Sequence, residues 1–444
     1  MSGDFPGLTL LDLRGDAANR DAAADQWRGM CGRSVGLSGA ADEAARAIVE
    51  RVRAEGDAAV VDCTREFEGR KLEPTELELP TSAADEALAS LDPSLRAALE
   101  QAAESIRVFH ETQRADTTGL DRDGARLRSR ISPLRRVALY VPGGTAAYPS
   151  SVLMSAIPAK VAGVDELIVL TPRPAPVVLA AAAIAGVGRI FQIGGAQAVA
   201  AAAFGTQHVP RVDKIVGPGN AYVTAAKRLV FGAVDIDSIA GPSEILVVAD
   251  ANADPALVAA DLISQAEHDT DASAVLVTTS PALVAAVDAA LREQLTDLPR
   301  AEIATRSLID NGAAVIVSDR TALARETDRF ASEHVELLVE DAPALAEQIR
   351  NAGAIFVGAW TPEAAGDYTA GPSHVLPTAG GARFASPLGV WDFCKYTSVL
   401  ELSPQALRGQ ADTITTLARA EGLEGHARAV ERRLQITSNE QDEP

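Results

Sequence analysis

Pro255-Ala256-Leu257-Val258-Ala259-Ala260-Asp261-Leu262-Ile263-Ser264-Gln265-Ala266-Glu267-His268-Asp269, followed shortly by Ser273-Ala274-Val275-Leu276-Val277-Thr278-Thr279, decides the fold class. In the first run Leu257, Val258, Leu262 and Ile263 recur at helical spacing. The second is a Val/Leu/Thr-rich run of strand length. A helix passing at once into a buried strand is the unit of a wound α/β fold. On that helix Gln265 and His268 stand three apart and share a face, so an amide oxygen and an imidazole can converge on one point. Taken alone, such a pair reads as an exposed polar helix end.

The alternation extends in both directions. Upstream, Val137–Val141, Leu167–Leu170, Ile190–Ile193 and Lys214–Val216 are short apolar strands, separated by helical runs at Ser150–Ala162, Ala175–Ala185 and Ala196–Phe204. Downstream, Ile245–Ala249, Ala274–Thr278, Ala314–Val317, Val335–Val339 and Ile355–Val357 form a second series. Two Rossmann-like wound parallel sheets are therefore expected, joined near Gly241, with ligands favouring the carboxyl ends of strands and the cleft between lobes. Residues 1–34 read as an irregular arm with a helical piece around Asp21–Trp27. Helices follow at Ala41–Glu55, stopped by Gly56, and from Pro93 to about Arg114. His110 on the latter reads as a surface or interface residue. Glu76–Leu79 is strand-like, residues 121–136 form a hairpin or connector, Thr361–Gly389 is a Gly/Pro-rich loop, and a helical tail occupies Ser403–Glu421 and Gly425–Gln435.

At 444 residues the chain has room for two or three domains. Its formal charge of −21 argues against nucleic acid or an anionic membrane as partner, since both need a basic surface. The start, Met1 to Gly7, lacks the apolar core of a secretory signal, and the Ala-rich runs are too short and too interrupted to span a membrane. Cys31, Cys63 and Cys394 are odd in number and far apart, which disfavours a disulfide framework. A cytoplasmic enzyme is the expectation.

Several polar residues stand where a wound fold would place a site. Tyr140-Val141-Pro142-Gly143-Gly144 follows a strand and precedes a helix, although no GxGxxG fingerprint stands after any strand. Gly194-Gly195-Ala196-Gln197 and Gly217-Pro218-Gly219-Asn220 end later strands, so Tyr140, Gln197 and Asn220 can line one cleft. In the second series Glu333-His334 precedes a strand; a carboxylate beside an imidazole suits acid–base work near neutral pH, and equally occurs as a surface pair. Asp367 and His374 lie on the long loop, and Glu421 and His426 near the break in the tail. Gln265, His268, Asp367 and His426 would make an O/N/O/N set acceptable to zinc.

Together these stretches resemble the histidinol dehydrogenase family. The motifs that carry the likeness are Tyr140–Gly144, Gly194-Gly195-Ala196-Gln197-Ala198, Gly217–Asn220, Gly241-Pro242-Ser243-Glu244, Ser264–Asp269, Ser332–Glu336, Ala365-Gly366-Asp367-Tyr368, His374–Thr378 and His426. The resemblance runs in order from about Val35 to Val430. It implies oxidation of L-histidinol to L-histidine, the last step of histidine biosynthesis, with two NAD⁺ on a zinc-dependent homodimer with shared sites. It implies zinc ligation by Gln265, His268, Asp367 and His426, and catalytic bases at Glu333 and His334. NAD contacts would come from Tyr140, Gln197 and Asn220, and substrate contacts from Ser243 and Glu421 besides His334 and the zinc ligands. The expected division is an arm (1–34), a helical part of the catalytic lobe (35–120), a connector (121–136), an NAD lobe (137–242), a zinc and substrate lobe (243–388) and a helical dimerisation tail (389–444). Two rivals remain: a zinc hydrolase, which leaves the Tyr140/Gln197/Asn220 cleft unexplained, and a two-lobed binding protein, which gives Glu333-His334 no task.

Overall fold

The computed structural model describes residues 5–14, 17–33, 39–143 and 147–439. Gly144 and the 34/35 boundary of the expected arm lie outside them. The chain divides into two compact units, Met1–Gln113 with Leu134–Phe393, and Arg114–Pro133 with Cys394–Pro444.

The first unit opens with strand β1 (Thr9–Asp12) and helices α1 (Ala17–Cys31), α2 (Gly39–Glu55), α3 (Asp57–Glu68), α4 (Ser82–Ser90) and α5 (Pro93–Glu111). The hairpin β2 (Thr118–Arg122) and β3 (Ala125–Pro133) belongs to the second unit. A first wound series follows: β4 (Arg136–Tyr140), α6 (Pro149–Ala162), β5 (Glu166–Leu170), α7 (Pro176–Ile184), β6 (Arg189–Phe191), α8 (Gly195–Phe204), β7 (Lys214–Val216), α9 (Ala221–Val230) and β8 (Asp235–Ile236). The second comprises β9 (Glu244–Ala249), α10 (Pro255–Ala266), β10 (Ser273–Thr278), α11 (Pro281–Leu295), α12 (Ala301–Asn311), β11 (Ala313–Ile316), α13 (Arg320–Phe330), β12 (His334–Leu338), α14 (Ala342–Ala346), β13 (Ala354–Val357) and α15 (Glu363–Tyr368). All residues of β9, β10, β11 and β12 are buried, as befits parallel strands covered by helices on both faces.

The two wound sheets share one plan. The first runs β6-β5-β4-β7-β8 and the second β11-β10-β9-β12-β13, every pairing parallel. Each therefore reads third-second-first-fourth-fifth strand and reverses between its first and fourth, β4/β7 and β9/β12, where such sheets open a crevice.

The structure corrects three expectations in this unit. The start of the chain is not irregular: β1 adds a sixth parallel strand beside β11, Thr9 opposite Ala313. The helix after it buries Trp27 in the core, stacked on Phe330 at 5.3 Å, with its indole N–H donating to Glu326 at 2.8 Å. Four residues of strand, with two adjacent leucines and no strict alternation, give too short a period to read. The helices of 35–120 pack on the first sheet, not on the second: α2 lies against α8 and α9, α4 against α7 and α5 against α6. An amphipathic helix advertises an apolar face without saying which sheet covers it. His110 is fully buried, its Nδ1 2.8 Å from the Ile106 carbonyl.

The second unit is a three-stranded antiparallel sheet with two helices. Strand β14 (Cys394–Leu402) pairs with β3 from Cys394 opposite Pro133 to Leu402 opposite Ala125, and β3 pairs with β2 across the turn Asp123-Gly124. Both turn residues have positive φ, 49° and 79°, the geometry of a tight hairpin. Helices α16 (Pro404–Ala420) and α17 (Glu424–Asn439) complete it. The expected helical tail thus carries a strand ahead of its helices, and the expected 121–136 connector supplies all of β3, the strand that pairs with it. Among the described residues no helix is long and apolar enough to cross a membrane.

Candidate active site

At the first sheet the predicted residues gather on the carboxyl edge. Tyr140 ends β4, and its hydroxyl accepts the Gly195 N–H at 3.0 Å where α8 begins. Burial pushes its phenol up to about 12, so it stays neutral and hydrogen-bonding. Gln197 is buried within the first turn of α8, in the space that a side chain at Gly195 would need. Gly217 follows β7 with φ of 111°, and a Cβ there would come within 2.1 Å of the Tyr140 carbonyl oxygen. Asn220 caps α9, its side chain accepting from the N–H groups of Tyr222 and Val223 at 3.1 Å each. The β4/β7 crevice is thus rimmed by two helix N-termini and three amide or hydroxyl side chains, a setting for a phosphate-bearing ligand.

The second sheet departs from the expected rule, because its candidates line the amino edge of the strands. Ser243 precedes β9, and Glu333 and His334 stand at the start of β12. Helix α10 runs antiparallel to the strands it serves, so Gln265 in its last turn and His268 just beyond its end also reach the amino edge, ahead of β10. Glu244 holds both candidate bases through its backbone: its N–H donates to Glu333 Oε2 at 3.0 Å, and its carbonyl accepts from His334 Nδ1 at 3.0 Å. With the proton on Nδ1, the lone pair of His334 sits on Nε2, which faces Glu363 Oε1 at 3.7 Å.

His334, Glu363 and Asp367 bring one ligand atom each within 4.8 Å of one another. Asp367 in turn meets His374, whose Nδ1 lies 3.5 Å from Asp367 Oδ1 while its Nε2 lies 3.4 Å from Ser151 Oγ on α6. Gln265 Nε2, in the last turn of α10, is 2.9 Å from Nδ1 of His268, which lies in the turn just beyond the helix end, so the two side chains converge without sharing a helix face. Its amide oxygen is buried with no hydrogen-bond partner. A buried carbonyl oxygen left unpaired costs free energy, and a cation is one means of satisfying it. The O and N donors of Gln265, His268 and Asp367 fit a borderline divalent ion. Glu421 and His426 lie in the second unit, at the end of α16 and in the first turn of α17, both exposed.

Burial sets the electrostatics. It pushes the His334 imidazole down to about 4 against the opposing pull of Asp367, so the ring is neutral and basic at neutral pH. Burial also lifts Glu333 well above the usual carboxylate range, helped by Glu244, Asp367 and Glu363 and opposed by the Glu244 N–H. Asp367 resists the same desolvation: the hydrogen bond and charge of His374, with His334 and His268, hold its carboxyl below the ordinary value. One acid raised above the ordinary carboxylate range, one neutral imidazole and one carboxylate make a set that can take and return protons. Burial raises all three thiols, Cys31 to about 12, so none is poised as a nucleophile.

Glu363 escaped sequence reading, because an acid directly after Pro362 at a helix start is an ordinary cap feature. Glu244 was visible within Gly241–Glu244, but its role lies in backbone atoms and carries no side-chain signature.

Two wound sheets of one plan, the first with a nucleotide-type crevice and the second with a buried acid–base cluster, define an enzyme of the oxidoreductase kind. The family description for histidinol dehydrogenase matches residues 33–434. The histidinol dehydrogenase of Ralstonia nicotianae is 49% identical over 443 residues, 98% of this chain and 100% of that one. That of Pseudomonas syringae pv. syringae is 52% identical over 393 residues, 87% of this chain and 88% of the relative. The crystal structure of histidinol dehydrogenase from Elizabethkingia anophelis superposes with a TM-score of 0.89 at 32% identity, covering 97% of this chain and 99% of that one. The chain belongs to the histidinol dehydrogenase family and is a dehydrogenase.

Proposed function

We propose that this enzyme oxidises L-histidinol through bound L-histidinal to L-histidine, consuming two NAD⁺ and one water, as the last step of histidine biosynthesis. The observation that carries the reading is the pairing of a neutral His334, its Nε2 lone pair free, with a buried Glu333 raised above the usual carboxylate range, beside Asp367. His334 Nε2 takes the hydroxyl proton of the alcohol as hydride departs from the same carbon, leaving the aldehyde. Ionised Glu333 then takes a proton from the water that adds to the aldehyde, while His334 returns its proton to the carbonyl oxygen, giving the hydrate and a neutral imidazole. His334 takes a hydroxyl proton from the hydrate as the second hydride leaves, giving the carboxylic acid, which ionises to the carboxylate. Tyr140, Gln197 and Asn220 would hold NAD⁺, which would accept the hydride. Gln265, His268 and Asp367, with His426 of the partner subunit, would hold zinc, which would supply a template for a substrate bearing an imidazole and an amine. Ser243 and Glu421 complete the substrate's surroundings in this reading.

The test is NADH formation from L-histidinol and NAD⁺ before chelation, after it, and after zinc is restored. Activity that is lost and regained supports the reading. Undiminished activity in metal-free enzyme contradicts the zinc site, and no NADH under any condition contradicts the reaction.

A further inference from the structure

The loop after β7 is held by a buried ion pair outside the reacting groups. The Gly217 N–H donates to Asp237 Oδ2 at 2.7 Å, and the Gly217 carbonyl accepts from Lys227 Nζ at 3.0 Å. Lys227 Nζ and Asp237 Oδ1 close the triangle with a direct hydrogen bond. Both side chains are almost wholly buried, at 3% and 5% exposure. One ion pair therefore grips both polar groups of a single buried glycine residue. Tyr140 O occupies the space where Gly217 would carry a Cβ, and Val223 does the same for Gly219. The loop from Gly217 to Asn220 is thereby fixed at the β4/β7 crevice, three residues ahead of the Asn220 cap.

A buried ion pair adds little stability over apolar groups of the same volume, because desolvation offsets the Coulombic gain. Its distinctive effect here is geometric. Without it the Gly217 N–H and C=O are buried and unpaired, and the loop shifts to recover partners. That shift moves Asn220 and the start of α9. We propose that Lys227 and Asp237 are positioning residues for the dinucleotide, holding the Gly217–Asn220 loop in the shape that NAD⁺ binds; this rests on the assignment of that crevice to NAD⁺.

The test compares wild type with Lys227→Met/Asp237→Leu, which leaves no unpaired charge, and with Lys227→Met/Asp237→Asn, which keeps an acceptor for the Gly217 N–H. Melting and circular dichroism establish folding, and NAD⁺ affinity is measured directly by titration as well as through KM. The clamp predicts an NAD⁺ KM raised about tenfold or more in the first variant and by less in the second. It also predicts an unchanged histidinol KM and kcat within about twofold at saturating NAD⁺. A folded Met/Leu variant with wild-type NAD⁺ affinity overturns the proposal, as does an equal rise in both KM values. If wild type itself fails to bind NAD⁺, the assignment of the crevice falls first.

Discussion

His334 and Glu333 are adjacent in sequence, and burial disfavours the charged form of each. Burial strips His334 of its proton and the Glu244 carbonyl fixes which nitrogen keeps the remaining one, while burial, with the carboxylates around it, raises Glu333 well above the usual carboxylate range. The division of labour predicts that Glu333→Gln slows oxidation of supplied histidinal much more than oxidation of histidinol to the aldehyde. His334→Asn is expected to depress both steps about 100-fold or more, the usual worth of a positioned base. Single-turnover NADH formation from each substrate separates the two. Equal losses in both half-reactions for Glu333→Gln rule the division out. At this level the sequence was informative about which residues: Glu333, His334, Gln265, His268 and Asp367 all lie on or beside one edge of the second sheet. It was silent on Glu363 and on the backbone of Glu244, because neither looks different from an ordinary helix start or strand start.

Among elements, the parallel strands were legible because fully buried runs such as Ile245–Ala249 and Ala274–Thr278 leave no polar phase to confuse them. Strand β14 was not, since Cys394–Leu402 is mostly exposed and half polar and its register comes from β3 alone. The two sheets also present their candidate residues on opposite edges: Tyr140 and Gly217 stand at the carboxyl ends of β4 and β7, whereas Glu333 and His334 sit at the amino end of β12. Behind that edge α10 is fastened to β12 by Asp261 and Glu336, whose carboxyl groups hydrogen-bond to each other in the interior. Burial and the Asp261 charge push Glu336 up to about 9, so the folded pair retains a proton that the unfolded chain releases in the ordinary carboxylate range. The folded state then binds more protons, and stability contributed by the pair is complete at low pH and falls as pH rises through about 9. Glu336→Gln, which donates to Asp261 without needing a proton, is expected to flatten this loss and to melt about 3 °C or more above wild type at about pH 9, with little difference at about pH 5. Identical melting–pH slopes for both proteins would show that the pair does not hold the proton.

For the molecule as a whole, the proposed homodimer accounts for features that a single chain leaves unexplained. Trp360 is 98% and Phe384 89% exposed in the first unit, and Leu400 is 70% exposed in the second. Large apolar side chains left in water mark surfaces that another copy can cover. The two candidate residues of the tail, Glu421 and His426, are on a separate unit from Gln265, His268 and Asp367. If sites are shared between subunits, mixing His426→Ala with His268→Ala subunits, each nearly inactive alone, yields heterodimers with one intact site and recovers about half the wild-type activity per mixed dimer. Verified heterodimers without recovery exclude sharing. The most direct measurement is the stoichiometry of one limiting charge of L-histidinol under excess NAD⁺, with a carbonyl trap present. A single site built around His334 and Glu333 predicts two NADH for each histidinol, histidine as the product, and no trapped aldehyde. One NADH with the aldehyde recovered in the trap would contradict it.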